Sequence, residues 1–182
     1  MKKVVLTFGL ISGAISAGLM LATVPFMHKI GFDKGAYVGY SAMVLAFLLV
    51  FFGIRSYRDN YSDGYISFGR AFSVGILITL ISCVCYVIAW EIVYFNFMPD
   101  FWDTYTNYVV EKARNSGASA QEVAKQIEGM RSIKAMYANP LWNVLFTFSE
   151  PLPVGLIVTV VSAAILRKKR KSLDGEQQLA TS

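Results

Sequence analysis

Four long apolar runs divide this chain, at residues 4–27, 36–54, 71–90 and 141–166. The first three contain no charged residue, and the fourth contains only Glu150. A helix rises about 1.5 Å per residue, so runs of this length match a hydrocarbon core about 30 Å thick. The pattern predicts four membrane-spanning helices. The first run is longer than the apolar stretch of a secretory leader and continues past the small residues Ala14 and Ala17. It therefore reads as a span. Glu150, Pro151 and Pro153 interrupt the fourth.

The connections differ in length and character. Residues 28–35 form a short polar turn, and residues 55–70 form a basic connector. Asp63-Gly64 predicts a turn there, and Ser67 predicts the cap of the helix that follows. Residues 91–139 form the one long polar segment, and its periodicity predicts a helical hairpin over about 99–138. The first hairpin helix opens at Pro99 and puts Phe101, Tyr105, Tyr108 and Val109 on one face. Asn115-Ser116-Gly117 ends it. The second opens on the capping box Ser119-x-x-Glu122 and puts Val123, Ile127, Met130 and Tyr137 on one face. Asn139-Pro140 stops it. The expected fold is all-α: a four-helix transmembrane bundle with an extramembrane helical hairpin between the third and fourth spans. Residues 1–171 form a single membrane domain, and residues 172–182 read as a disordered polar tail.

Within the spans, small residues recur at helical spacing. Gly9, Gly13 and Ser16 follow offsets of 0, +4 and +7; so do Gly75, Thr79 and Ser82, and so do Gly155, Thr159 and Ser162. The last two sets sit in nearly the same nine residues, V-G-I-L-I-T-L-I-S and V-G-L-I-V-T-V-V-S. Each set shares one helix face, which lets helices approach closely in lipid. Close packing among spans one, three and four is the reading.

Composition supports the membrane assignment. Of 182 residues, 55% are apolar and only 16% charged, against about 25% charged in soluble domains. The net charge of +5 does not indicate nucleic acid, because the bases flank the apolar runs. Lys2, Lys3, Arg55, Arg58, Arg70 and residues 167–171 fall at one membrane face. Lys29, Lys34, Lys112, Arg114, Lys125, Arg131 and Lys134 fall at the other. The positive-inside rule then puts both termini in the cytoplasm and the hairpin outside. The hairpin itself balances five acids, at 100, 103, 111, 122 and 128, against five bases, which argues against an electrostatic face for anionic lipid. Cys83 and Cys85 lie two apart on a helix, so they read as small buried residues and not as a disulfide.

The segments D-G-Y-I-S-F-G-R-A-F (Asp63 to Phe72), M-P-D-F (Met98 to Phe101), N-P-L-W (Asn139 to Trp142) and F-S-E-P-L-P-V-G (Phe148 to Gly155) resemble a bacterial membrane family catalogued as domain of unknown function 4199. The resemblance runs from the first span to the basic tail R-K-K-R-K. It implies four transmembrane helices with a helical insertion before the last. It brings no activity, cofactor or catalytic residue to carry over.

Glu150, Glu91 and His28 are the candidate site. An acid inside an apolar segment is a functional hypothesis by default. All three fall near the outer boundary of the spans, where they could take a proton or a cation. For Glu150 the competing reading is a helix cap, since it directly precedes Pro151. Catalytic motifs such as H-E-x-x-H, G-x-S-x-G and a phosphate loop are absent from the sequence, and one histidine is too few for a histidine-rich metal centre. The expectation is a non-catalytic inner-membrane protein without cofactor or metal, contacting the bilayer. It would bind a membrane or periplasmic partner through its hairpin, or cap its own bundle with it. The alternative is a small transport or channel component, in homo-oligomeric form, that uses the acidic site.

Overall fold

The computed structural model describes residues 1–26 and 30–168. His28, residues 169–171 of the basic tail and the expected polar tail at 172–182 lie outside the described residues. Every regular element in the described part is helical. Helix α1 spans Lys2–Thr23 and runs into a short 3-10 turn, Val24–Phe26. Helix α2 spans Phe32–Tyr61, and α3 spans Phe68–Phe97. The hairpin is α4, Phe101–Asn115, and α5, Ala120–Tyr137. The last span is two helices, α6 (Pro140–Ser149) and α7 (Pro151–Leu166).

Four helical stretches are long and apolar enough to cross a membrane: α1, α2, α3 and α6 with α7. Helices α2 and α3 each have 30 residues, about 45 Å at 1.5 Å per residue. They therefore run beyond their apolar runs, 36–54 and 71–90, at both ends. The basic connector is correspondingly shorter than the sequence implied, because helix propagation continues until a residue forbids it. Here Asp63 (φ 50°) and Gly64 (φ 78°) force the turn, and the Ser67 hydroxyl accepts from the Arg70 amide to start α3. The first hairpin helix begins at Phe101, because Pro99 and Asp100 form a turn before it.

Helix α3 is central. It packs along α1 on one side and α7 on another, and α2 lies against all three. The small-residue stripes mark these contacts. A Cβ added at Gly9 would meet Ile81 at 2.8 Å, and one at Gly13 would meet Cys85 at 2.5 Å. The repeated nonapeptide pairs with itself. A Cβ at Gly75 would meet the Thr159 methyl at 2.8 Å, and one at Gly155 would run into the Thr79 methyl and the Phe47 ring. Each glycine thus receives the other helix's threonine. The two hydroxyls meet at 3.0 Å in the fully buried interior. Ser12, one position off the predicted stripe, bonds both Ser82 Oγ (3.0 Å) and the Ala46 carbonyl (2.9 Å). Spans one and four do not share a face; each packs on the α2–α3 pair.

The end of the bundle away from the hairpin is latched. Ile66 and Lys168 exchange both backbone hydrogen bonds, at 3.0 and 2.9 Å, as an isolated antiparallel bridge. Arg58 donates to the Leu166 carbonyl, and Arg70 donates twice to the Tyr57 hydroxyl at 3.2 and 3.1 Å. Much of the D-G-Y-I-S-F-G-R-A-F segment is accounted for here. It makes the turn, the bridge, the cap and the Arg70–Tyr57 contact, and it contributes the fully buried Ala71.

Candidate functional site

The hairpin end of the bundle is where the polar chemistry gathers. The hairpin lies over it, held by the aromatic stripe predicted for α4. Phe32, at the start of α2, packs against Phe101, Tyr105 and Tyr108 with ring centroids 5.1–6.1 Å apart. Trp90 and Tyr94 of α3 also meet Phe101 edge-on. On the second hairpin helix Tyr137 sits between Tyr94 and Trp102. Lys112 pairs with Asp33 at 2.8 Å, and Lys134 pairs with Asp103 across the hairpin. The Asp33 carboxylate holds the Lys112 ammonium above its ordinary range. The capping box is complete. Glu122 Oε2 accepts from the Ser119 amide at 2.7 Å, and the Ser119 hydroxyl accepts from the Glu122 amide at 3.3 Å.

Beneath the hairpin runs a directional chain of hydrogen bonds. Trp90 Nε1 can only donate, and it does so to Tyr137 Oη at 3.0 Å. The Tyr137 hydroxyl is 3.0 Å from Thr147 Oγ1, which in turn donates to Asn143 Oδ1 at 3.3 Å. Burial pushes the Tyr137 phenol up from its usual range, so it keeps its proton. Asn143 is 0% exposed, and its Nδ2 has no partner among the described residues. The sequence reading assigned Tyr137 to an apolar face and passed over Asn143 and Thr147. The signal was present: Asn143, Thr147 and Glu150 follow the same 0, +4, +7 offsets as the small-residue stripes. Polar residues in that register inside an apolar run mark a face turned toward other protein.

Glu150 lies where α6 gives way to α7, and its backbone is helical (φ −74°, ψ −57°). Its side chain makes no cap hydrogen bond, which corrects the cap reading. The local chemistry explains this. A cap accepts from the amides of the second or third helical residue, and here the third, Pro153, has none. A helical ψ also turns the side chain away from the helix end. The exposed carboxylate instead accepts from the Tyr86 hydroxyl at 3.2 Å. The site's E-P-L-P-V-G segment therefore makes a bend, with Pro151 buried inside it and Gly155 admitting Thr79 five residues on.

Glu91 is half-buried on α3. The apolar part of its side chain borders a lateral groove of about 430 Å³ between α3 and α6. Val84, Val87, Ile88 and Ile92 form one wall, and Val144 and Phe148 form the other. Glu91 Oε1 is buried and unpartnered among the described residues. Positions 86 and 91 are five apart, about 140° around a helix. Glu91 and the Tyr86–Glu150 pair therefore face different sides of α3, and the two acids lie in separate surroundings. His28, the third candidate, lies outside the described residues. Among the described residues no three His, Cys, Asp or Glu side chains converge as metal ligands.

No curated protein and no solved structure matches this chain. A family model described as "Protein of unknown function (DUF4199)" matches residues 7–168, which includes all four apolar helices beyond the first turn of α1, the hairpin and the Ile66–Lys168 latch. The chain therefore belongs to that family of unknown function.

Proposed function

We propose that this protein is a non-catalytic component of the bacterial inner membrane, with both termini in the cytoplasm and the hairpin outside as a built-in cap on the bundle. The observation that supports this is the use of the α4 aromatic stripe. Phe101, Tyr105 and Tyr108 are spent on Phe32, Trp90 and Tyr94 of the same chain. Glu111, Lys125, Glu128 and Arg131 are exposed. A membrane or periplasmic partner would therefore meet a charged, polar hairpin surface and not the aromatic one. Replacing residues 99–138 by a short flexible linker tests the cap. The purified bundle should lose thermal stability with no other protein present. An unchanged bundle would move the role of the hairpin to partner binding alone.

A second reading is a small transport component, homo-oligomeric in form, in which Glu150 and Glu91 pass a proton or cation. The exposed Glu150 carboxylate beside Tyr86 favours it. In proteoliposomes the reading requires a flux that falls in Glu150→Gln. Flux equal to that of empty vesicles would end it.

A further inference from the structure

We propose that the latched end of the bundle is a docking surface for an anionic phospholipid, with Arg70 and Lys168 as its fixed cations. Charge is the first observation. Among the described residues this end carries seven cations against two acids, Asp59 and Asp63. The hairpin at the other end balances five against five. Asp59 is shared by Arg55 and Arg58. The other five cations, Lys2, Lys3, Arg70, Arg167 and Lys168, are exposed and form no salt bridge with a described acid. They sit where a headgroup lies. Arg70 directly precedes the third apolar run, 71–90, and Arg167 directly follows the fourth, 141–166, so the boundary of the hydrocarbon core falls there. Tyr61 and Tyr65 are exposed in the same connector, as tyrosines of a membrane interface are.

Two of these cations are oriented without being neutralised. Arg70 donates from Nε and Nη2 to the Tyr57 hydroxyl, at 3.2 and 3.1 Å. That holds the guanidinium and leaves its remaining N–H donors unspent. The backbone bridge to Ile66 pins Lys168, whose Nζ lies 5.3 Å from the centroid of the Tyr65 ring. A phenol and a ring face position a cation but bring no counter-charge. Like charges gathered in this way repel one another, and an anion relieves the repulsion. A lipid phosphate carries the charge and the acceptor oxygens that arginine and lysine bind. The bilayer presents it at this level, with acyl chains to lie along the exposed apolar faces. A zwitterionic lipid has the same phosphate with its own ammonium beside it, so the net attraction is for the anionic headgroup. This inference needs only the membrane-spanning reading of the helices, and it is independent of the cap role proposed for the hairpin.

The test uses the full chain, delipidated in neutral detergent and offered equal amounts of phosphatidylglycerol and phosphatidylcholine with identical oleoyl chains. Native mass spectrometry counts what each protein molecule retains. The wild type should prefer the glycerol lipid, and each of Arg70→Gln and Lys168→Gln should lower that preference about fivefold, the scale for one basic side chain at a membrane surface. Lys168→Gln leaves the backbone bridge in place. Lys125→Gln with Arg131→Gln removes two charges from the exposed hairpin surface and should leave the preference unchanged. Equal retention of the two lipids by the wild type would overturn the proposal and leave the basic end as an orientation signal alone. That comparison requires no variant to fold. An equal loss in the hairpin variant would overturn it too, since net charge and not place would then decide. Changing Lys169, Arg170 and Lys171 to Gln together should weaken the preference without removing it. If none remains, the tail alone binds, and the assignment to Arg70 and Lys168 fails.

Discussion

At Glu150 a single side chain decides between a cap and a contact. Pro153 removes one of the two amides that a cap would use, and the carboxylate turns to Tyr86 Oη instead. Losing that contact should cost modestly, since a net hydrogen bond contributes about 0.5–1.5 kcal/mol and the carboxylate is exposed. Tyr86→Phe and Glu150→Ala should therefore destabilise the protein by similar small amounts, and the double variant by less than their sum. Unfolding in mixed micelles measures all three. Strict additivity would show that the pair is a coincidence of proximity. Asn143 behaves differently, because it is fully buried at the end of the Trp90–Tyr137–Thr147 chain. Asn143→Leu should remove an unpartnered amide while leaving Thr147 Oγ1 without its acceptor. The two effects oppose each other, which makes Tyr137→Phe the cleaner probe of the network.

Among the elements, the α3–α7 pair depends on a reciprocal fit. Gly75 admits Thr159 and Gly155 admits Thr79, so neither helix can move along the other without a clash. Gly155→Ala should cost about 1–3 kcal/mol through overpacking against Thr79 and Phe47. Gly18→Ala, on α1 with open space around it, should cost nothing. Thermal melts in detergent compare the two, and equal losses would mean that the glycines act through backbone freedom and not through close approach. The hairpin makes an electrostatic prediction. The Ser119 amide, then its hydroxyl, hold the Glu122 carboxyl below its ordinary value of 4.5. A carboxyl depressed on folding adds stability above its unfolded pKa and loses it as pH falls through the lower folded value. Acidification from pH 6 to 3 should therefore fray the start of α5 in the wild type. Glu122→Gln should show a smaller change over the same range, because its amide can fill the box without titrating. Amide exchange at residues 120–124 reads the difference.

For the whole molecule, the hairpin ties one end of the bundle together and the Ile66–Lys168 bridge ties the other. Phe101 touches Phe32, Trp90, Tyr94, Trp102 and Tyr105, so it is the residue on which docking turns. Phe101→Ala should cost about 1.5–3 kcal/mol, the scale for burying a large apolar side chain, and should raise exchange along 101–137 while α1, α3 and α7 stay protected. Wild-type hairpin amides that exchange as fast as those of a free peptide would refute the docking. Orientation is a separate matter. Reporter fusions at Lys171 and Ser116 should read cytoplasmic and external respectively, and a cytoplasmic signal at Ser116 would invert the proposed topology.

Much of this architecture was legible in the sequence, because a membrane span and a helix cap are local properties. Apolar runs long enough for the hydrocarbon core gave the four spans. The capping box at Ser119, the cap at Ser67 and the turn at Asp63-Gly64 gave their boundaries within a few residues. Small residues at offsets of 0, +4 and +7 gave the packed faces, since helical period alone puts them on one side. Other features required the fold. No periodicity says that Gly75 meets Thr159, because the pairing depends on how far α7 slides along α3. The use of the hairpin's aromatic stripe was open in the same way: a partner and the chain's own bundle end are equally apolar. The surroundings of Glu91 and Glu150 were hidden for the most basic reason. Sequence sets the depth of an acid in the bilayer through residue count, but what faces it depends on helix rotation. Side chains five positions apart on α3 point about 140° from each other, and only packing decides which side meets α6 and which meets the bend at Pro151.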